Sequence, residues 1–227
     1  MNSKYISLSH ILSVNTPSYG NRDKVYIKKN SSIQNGDTAN TSSYFISNNH
    51  IGTHIDVPNH FSGQGKKTYE IPLNDYFYSK IGLVELKCEE AKLIGISDLE
   101  SKLSHIDPNI DLLLIKTGYE SYRNNDKYWN DNPGLAPELA DFLRNKFLNL
   151  SCVGFDFISL TSWKFREHGK PAHLAFLAPK KNERYLLIIE DMSLMHIKDK
   201  LESVIVVPFF IEDGNGGAVT VIAKERN

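Results

Sequence analysis

The chain has 227 residues, 41% of them apolar and 23% charged, with a formal net charge of −1. That balance supports an ordinary hydrophobic core, excludes global disorder and provides no basic footprint for nucleic acid. Two cysteines, Cys88 and Cys152, make neither a disulfide framework nor a cysteine-rich metal site and read as small core residues.

Met1 to Ser13 lacks a basic stretch followed by a long apolar run, so no secretory leader is expected. Tyr5 to Ser9 reads as a short first strand. Residues 14 to 40, rich in Asn, Ser, Gly, Asp and Pro, predict a long irregular loop enclosing Val25-Tyr26-Ile27, of the kind that forms lids and binding walls. Ser43 to Ser47 predicts a strand leading into a histidine-rich window at 50–61. Ile81 to Leu86 and Ile110 to Thr117 predict further strands, the second an almost continuous apolar run suited to burial on both faces. Ser97-Asp-Leu-Glu100 has capping-box form and predicts the start of a short helix.

Tyr119, Tyr122, Tyr128 and Trp129 follow as an aromatic loop suited to an aromatic substrate, to a second subunit or simply to packing at the surface. Pro137 opens a helix running to Phe147, with Leu139, Leu143 and Phe147 at helical spacing. Cys152 to Phe157, Tyr185 to Glu190, Ser203 to Phe210 and Val219 to Ala223 predict the remaining strands, with 213–217 as the turn between the last two. The longest apolar run, around Val204 to Ile211, is broken by Pro208, so no membrane span is expected. The expectation is a cytoplasmic, mixed α/β protein forming one domain over residues 1–227.

The window reads His50-Ile-Gly-Thr-His54-Ile-Asp56-Val-Pro58-Asn-His60-Phe61. Imidazole nitrogens and a carboxylate are ligands for zinc and similar divalent ions. A helix would put Asp56 about 200° around from His54, and Gly52, Val57 and Pro58 make a poor helix. In an extended segment, His50, His54 and Asp56 share parity and project to one side, while Ile55 and Val57 enter the core. Gly52 permits close backbone approach and Pro58 ends regular pairing. A ligand cluster beside a spare histidine, His60, is what metal-assisted hydrolysis requires.

This pattern resembles the signature of the cyclase-type hydrolases that include bacterial kynurenine formamidase and isatin hydrolase. Lys116-Thr117-Gly118, Pro133-Gly134-Leu135 and Val153-Gly154-Phe155-Asp156 with Ser159 extend the likeness over most of the chain. The resemblance implies an α/β fold around a mostly closed, barrel-like mixed sheet flanked by helices. It implies that His50, His54 and Asp56 hold one divalent ion, zinc or manganese, and that His60 moves protons. His173 and Glu190 fit the residues that add to that ion or hold a second. It further implies a homo-oligomer hydrolysing a C–N bond of a small amide or cyclic amide, not a peptide, with metal-activated water as nucleophile. A cyclase, dehydratase or lactone hydrolase of a natural-product pathway, or a non-catalytic metal-binding relative, is the alternative. Departures fall on the pocket walls: Lys116 stands for the family's arginine, Pro179 to Arg184 is a longer segment, and Trp163 to Lys170 is unusually charged.

Overall fold

The computed structural model describes residues 4–179, 183–198 and 200–225. Lys180, Lys181 and Asn182 of the long segment at 179–184 lie outside them. In chain order the strands are β1 (Lys4–Ser7), β2 (Val25–Ser31), β3 (Thr41–Ile46), β4 (His54–Asp56), β5 (Phe77–Tyr78), β6 (Ile81–Glu85) and β7 (Leu93–Ile94). Helix α1 (Ile96–Leu103) is followed by β8 (Leu112–Lys116), α2 (Lys127–Asn130), β9 (Gly134–Leu135) and α3 (Glu138–Lys146). The chain continues with β10 (Cys152–Phe155), α4 (Gly169–Leu177), β11 (Leu187–Glu190), β12 (Leu201–Pro208) and β13 (Gly216–Glu225).

Nine strands form one mixed sheet in the order β5-β12-β13-β4-β11-β10-β8-β6, with β1 also paired to β13. β6, β8, β10 and β11 are parallel to one another; the rest pair antiparallel. The two ends of this path, β5 and β6, are separated in the chain only by Ser79 and Lys80, so the sheet curls back on itself as a nearly closed barrel. The parallel strands are reached through α1, α3 and α4, and they carry the near-continuous apolar sequences that two-sided burial requires.

Strand parity sorts those side chains into two cores. Leu112, Leu114, Cys152, Leu187 and Ile189 pack inside the barrel with Ile55, Val57, Val204 and Val221. Leu113, Ile115, Val153, Phe155 and Ile188 face outward against Leu99 and Leu103 of α1, Leu139 and Leu143 of α3, and Phe176 of α4. His54, Asp56 and Glu190 occupy the alternate positions to Ile55, Val57 and Ile189. They are thereby turned to the face beneath α4 rather than into the barrel.

Several expectations are corrected. The 14–40 segment is not irregular throughout: β2 pairs with β3 as a separate two-stranded sheet. Both its faces meet solvent, so the sequence shows no buried stripe to reveal it. Helix α4 was not expected because Gly169 and Pro171 weaken the helical signal, yet both sit in the first turn, where a missing N–H costs nothing. Helix α1 begins before Ser97, with Gly95 N–H donating to Asp98 Oδ2 at 3.0 Å. Tyr119 and Tyr128 are fully buried core residues rather than a free aromatic loop. Among the described residues no helix is long and apolar enough to cross a membrane.

The motifs outside the histidine window find each other. Buried Asp156, just past β10, accepts from Thr117 N–H (2.8 Å), Thr117 Oγ1 (2.6 Å) and Gly118 N–H (2.7 Å) at the end of β8. Burial raises its carboxyl to about 6, against these donors. Asp156→Asn puts an amide donor among donors and is expected to cost about 2–3 kcal/mol in urea unfolding, with the native fold retained.

Candidate metal centre

The window reaches its geometry in three steps. Gly52 adopts φ +68, a conformation that favours glycine, and turns the chain between His50 and β4. β4 then supplies His54 and Asp56 on one face, and Pro58 opens a short 3-10 turn, Pro58–His60, that brings His60 back over Asp56. The extended reading thus holds for His54 and Asp56, whereas His50 arrives by a turn. β4 lies between β11 and β13, with His54 opposite Glu190 and Asp56 opposite Gly216. A Cβ on Gly216 would lie 2.7 Å from the His50 ring, so glycine there makes room for that imidazole.

All six expected residues converge. Asp56 Oδ1 lies 2.7 Å from His50 Nδ1 and 3.6 Å from His54 Nε2. Asp56 Oδ2 lies 3.6 Å from His173 Nε2 and 3.9 Å from His60 Nε2. Glu190 closes the far side, 3.2 Å from His54 Nε2 and 3.9 Å from His173 Nε2. Two donor groups close enough to share an ion therefore have Asp56 in common: His50, Asp56 and His60, and His54, Asp56 and Glu190. This partition differs from the one that the resemblance implies, because His60 sits with the donors.

The surroundings fix how each donor is presented. His54 Nδ1–H donates to Gly52 O and His173 Nδ1–H donates to Gly169 O, both at 2.8 Å. A carbonyl only accepts, so in the neutral ring each Nε2 turns its lone pair toward the carboxylates, the arrangement in which a histidine serves a metal. His54 Nε2 is buried and has no hydrogen-bond partner. Leu160 N–H holds Glu190 Oε1 at 2.6 Å, and Phe61 stacks on His173 with centroids 4.4 Å apart.

These contacts set the charges. Burial disfavours protonated His54, but Glu190 and Asp56 outweigh it and lift its pKa to about 9. Asp56 is pulled well below the usual carboxylate range: burial opposes the shift, and His50, His60 and His173 overcome it. His60 is pushed down to about 4, first by burial and then by the three neighbouring imidazoles, against the pull of Asp56. It is therefore neutral at pH 7.

A pH prediction follows for metal-stripped protein. His54 titrates near 6.5 when unfolded and near 9 when folded. Its stabilisation is complete below about pH 6.5 and is lost as pH rises to about 9. Urea midpoints of chelator-treated protein should fall across that window, and a bound divalent ion, which takes the place of the proton, should abolish the fall.

Sequence reasoning missed the supports. Asn215, in the turn read only as a connector, places Oδ1 3.1 Å from His50 Nε2. Asp191, directly after Glu190 and at φ +52, accepts from Arg123 Nη2 (2.7 Å) and the Tyr128 hydroxyl (2.6 Å), while its carbonyl accepts from Thr53 Oγ1 (2.5 Å). That network locks the strand end carrying Glu190. The carboxylate following Glu190 in an apolar strand was the available signal; Arg123 and Tyr128 gave none. His168 is half-buried and braces the loop through Leu160 O at 3.2 Å.

A kynurenine formamidase of Bacillus cytotoxicus is 27% identical over 180 residues, 77% of this chain and 76% of that enzyme. An uncharacterized protein of Haemophilus influenzae is 33% identical over 119 residues, 51% of this chain and 83% of that one. An isatin hydrolase bound to the product analogue thioisatinate superposes with a TM-score of 0.83 at 16% identity, over 99% of this chain and 93% of that one. A potential metal-dependent hydrolase with cyclase activity superposes at 0.74 and 20% identity, both chains fully covered. At such identities the structural likeness establishes the fold. The family model described as putative cyclase matches residues 6–161, from β1 through the histidine window to the loop after β10, and the chain belongs to that family.

Proposed function

We propose that this protein is a metal-dependent hydrolase that cleaves the C–N bond of a small amide or cyclic amide. The observation that carries the reading is His54 Nε2, buried and facing the carboxylates of Asp56 and Glu190. An imidazole nitrogen buried between two carboxylates keeps its proton up to about pH 9 unless a divalent cation takes the proton's place, so the set is built around a positive charge. His54, Asp56, Glu190 and His173 would hold one divalent ion, and His50 with Asp56 and His60 form a second donor group. Nitrogen and carboxylate donors suit zinc and manganese alike. The names of the formamidase and isatin hydrolase relatives support the reaction class.

A bound ion polarises a carbonyl oxygen and brings the pKa of water it holds to about 7. The chain's residues do the rest. Asp56 and Glu190 neutralise the site's positive charge and hold the imidazoles in register. His60, neutral and more exposed than the site's other histidines, takes the proton from the attacking water at Nε2 and returns it to the departing nitrogen. Phe61, stacked on His173, gives an apolar wall against which an aryl group can lie. Exposed Tyr26, Ile27, Tyr44 and Phe45 on the β2–β3 arm support self-association, which light scattering would report as a multiple of the chain mass.

The test is a hydrolysis screen of metal-loaded protein with N-formyl anilides, isatin-like lactams and lactones in ¹⁸O-water. Turnover of a C–N substrate with solvent oxygen entering the product is expected. Turnover without incorporation would replace hydrolysis by cyclisation or dehydration.

A further inference from the structure

The barrel stays open along one seam, between β6 and β12. β5 and β6 are the two ends of the sheet path, and β12 pairs with β5 at Val204 and Ile205. The start of β12, from Leu201, therefore runs beside the far edge of β6 with no ladder joining them. Lys80 O accepts from Leu112 N–H and Leu86 N–H donates to Lys116 O, so the even-numbered residues of β6 face β8. The backbone N–H and C=O of Ile81 and Leu83 point the other way, into the seam.

The seam widens into a cavity of about 670 Å³. Its floor is apolar: Ile110 is buried, and Ile81, Leu83, Ile106 and Leu201 are half-buried. Its rim is cationic, with exposed Lys80, Lys198 and Lys200. Lys80 is anchored, because Asp111 Oδ1 accepts its N–H at 3.0 Å and Asp111 Oδ2 accepts that of Ser79 at 2.9 Å.

The acids at the cavity do not neutralise this rim. Asp107 accepts from Asn109 N–H (2.8 Å) and Nδ2 (3.0 Å), and Glu202 accepts from Lys224 Nζ at 2.6 Å. Among the described residues no carboxylate pairs with Lys80, Lys198 or Lys200. Three ammonium groups thus stand over an apolar floor without an anion. Lysine meets phosphate as a point charge, whereas a carboxylate is matched better by the arginine fork. A cavity of this size holds a small organic molecule. It is separate from the metal centre, since β6 lies three strands from β11, about 14 Å along the sheet at the usual strand spacing.

We propose that the seam between β6 and β12 binds a small organic phosphate monoester. Lys80, Lys198 and Lys200 hold its phosphate, and its apolar body lies on Ile81, Leu83 and Leu201. The site stands independently of the hydrolase reading. Phenyl phosphate is the probe, titrated by calorimetry into metal-loaded protein beside inorganic phosphate. Phenyl phosphate should bind at least about 10-fold more tightly, because its ring leaves water for the apolar floor. Added salt should weaken it, since the lysines are exposed. K80M/K198M/K200M should weaken it about 10–100-fold while metal content stays unchanged. A metal ion also attracts phosphate, so chelator-treated parent and H54A are the controls, and both should bind the probe as the loaded parent does. The proposal is overturned by a parent that does not bind phenyl phosphate or binds inorganic phosphate equally well. Binding that survives K80M/K198M/K200M, or that disappears with the metal, overturns it too.

Discussion

Asp56→Asn is expected to leave a folded protein that no longer retains a divalent ion and turns over on the order of 10³-fold more slowly, or not at all. Asp56 is the shared member of both donor groups, with four imidazoles disposed around its two oxygens. Asn removes the charge and replaces one acceptor by an N–H₂, so one face of the site opposes a cation. The buried His54 is left with Glu190 as its only anion, and its pKa falls. Metal analysis after desalting, circular dichroism and a turnover assay together separate this outcome from misfolding. Full metal content in Asp56→Asn would remove Asp56 from the ligand set.

His60→Ala carries the second large effect. The proposed role is proton transfer, and removing a general base costs typically 10²- to 10⁴-fold in kcat, so a drop of about that size is expected with KM little changed. The stronger diagnostic is metal content. If His60 serves mainly as base, His60→Ala keeps its metal; if it is a ligand beside His50 and Asp56, occupancy falls in step with rate. The acidic limb of the pH–rate profile should lie below the ordinary histidine range in the parent, the direction in which burial and the neighbouring imidazoles drive His60, and should change in the variant. Its position over the Asp56 carboxylate and its stacking on His50, with centroids 3.8 Å apart, put it within reach of either role, where the reading from sequence had proton transfer alone.

Legibility from sequence followed periodicity. Leu112 to Ile115 declared a two-sided strand because every residue is buried, and alternation placed Ile55 and Val57 inward and His54 and Asp56 outward. The β2–β3 arm gave no such signal because its stability comes from pairing, with both faces wet. His173 and Glu190 followed from family likeness, since no local rule joins a helix residue to a strand end 17 positions away. Fixed contacts between distant backbone groups stayed hidden: Leu160 N–H on Glu190, Gly52 O on His54 and Asn215 on His50 are products of the folded sheet. The cationic stretch at 163–170 was visible as charge, but the convergence of its Arg166 with Arg22 on the Trp163 indole needed the turn at Gly20.

Everything proposed for this site depends on a cation completing it. Metal analysis of the purified protein, before and after reconstitution with zinc or manganese, tests that most directly. At least one tightly held equivalent per chain is expected, lost on His54→Ala and retained on substitution of the exposed Lys80. Less than one equivalent as purified, with none gained on reconstitution, would contradict the account.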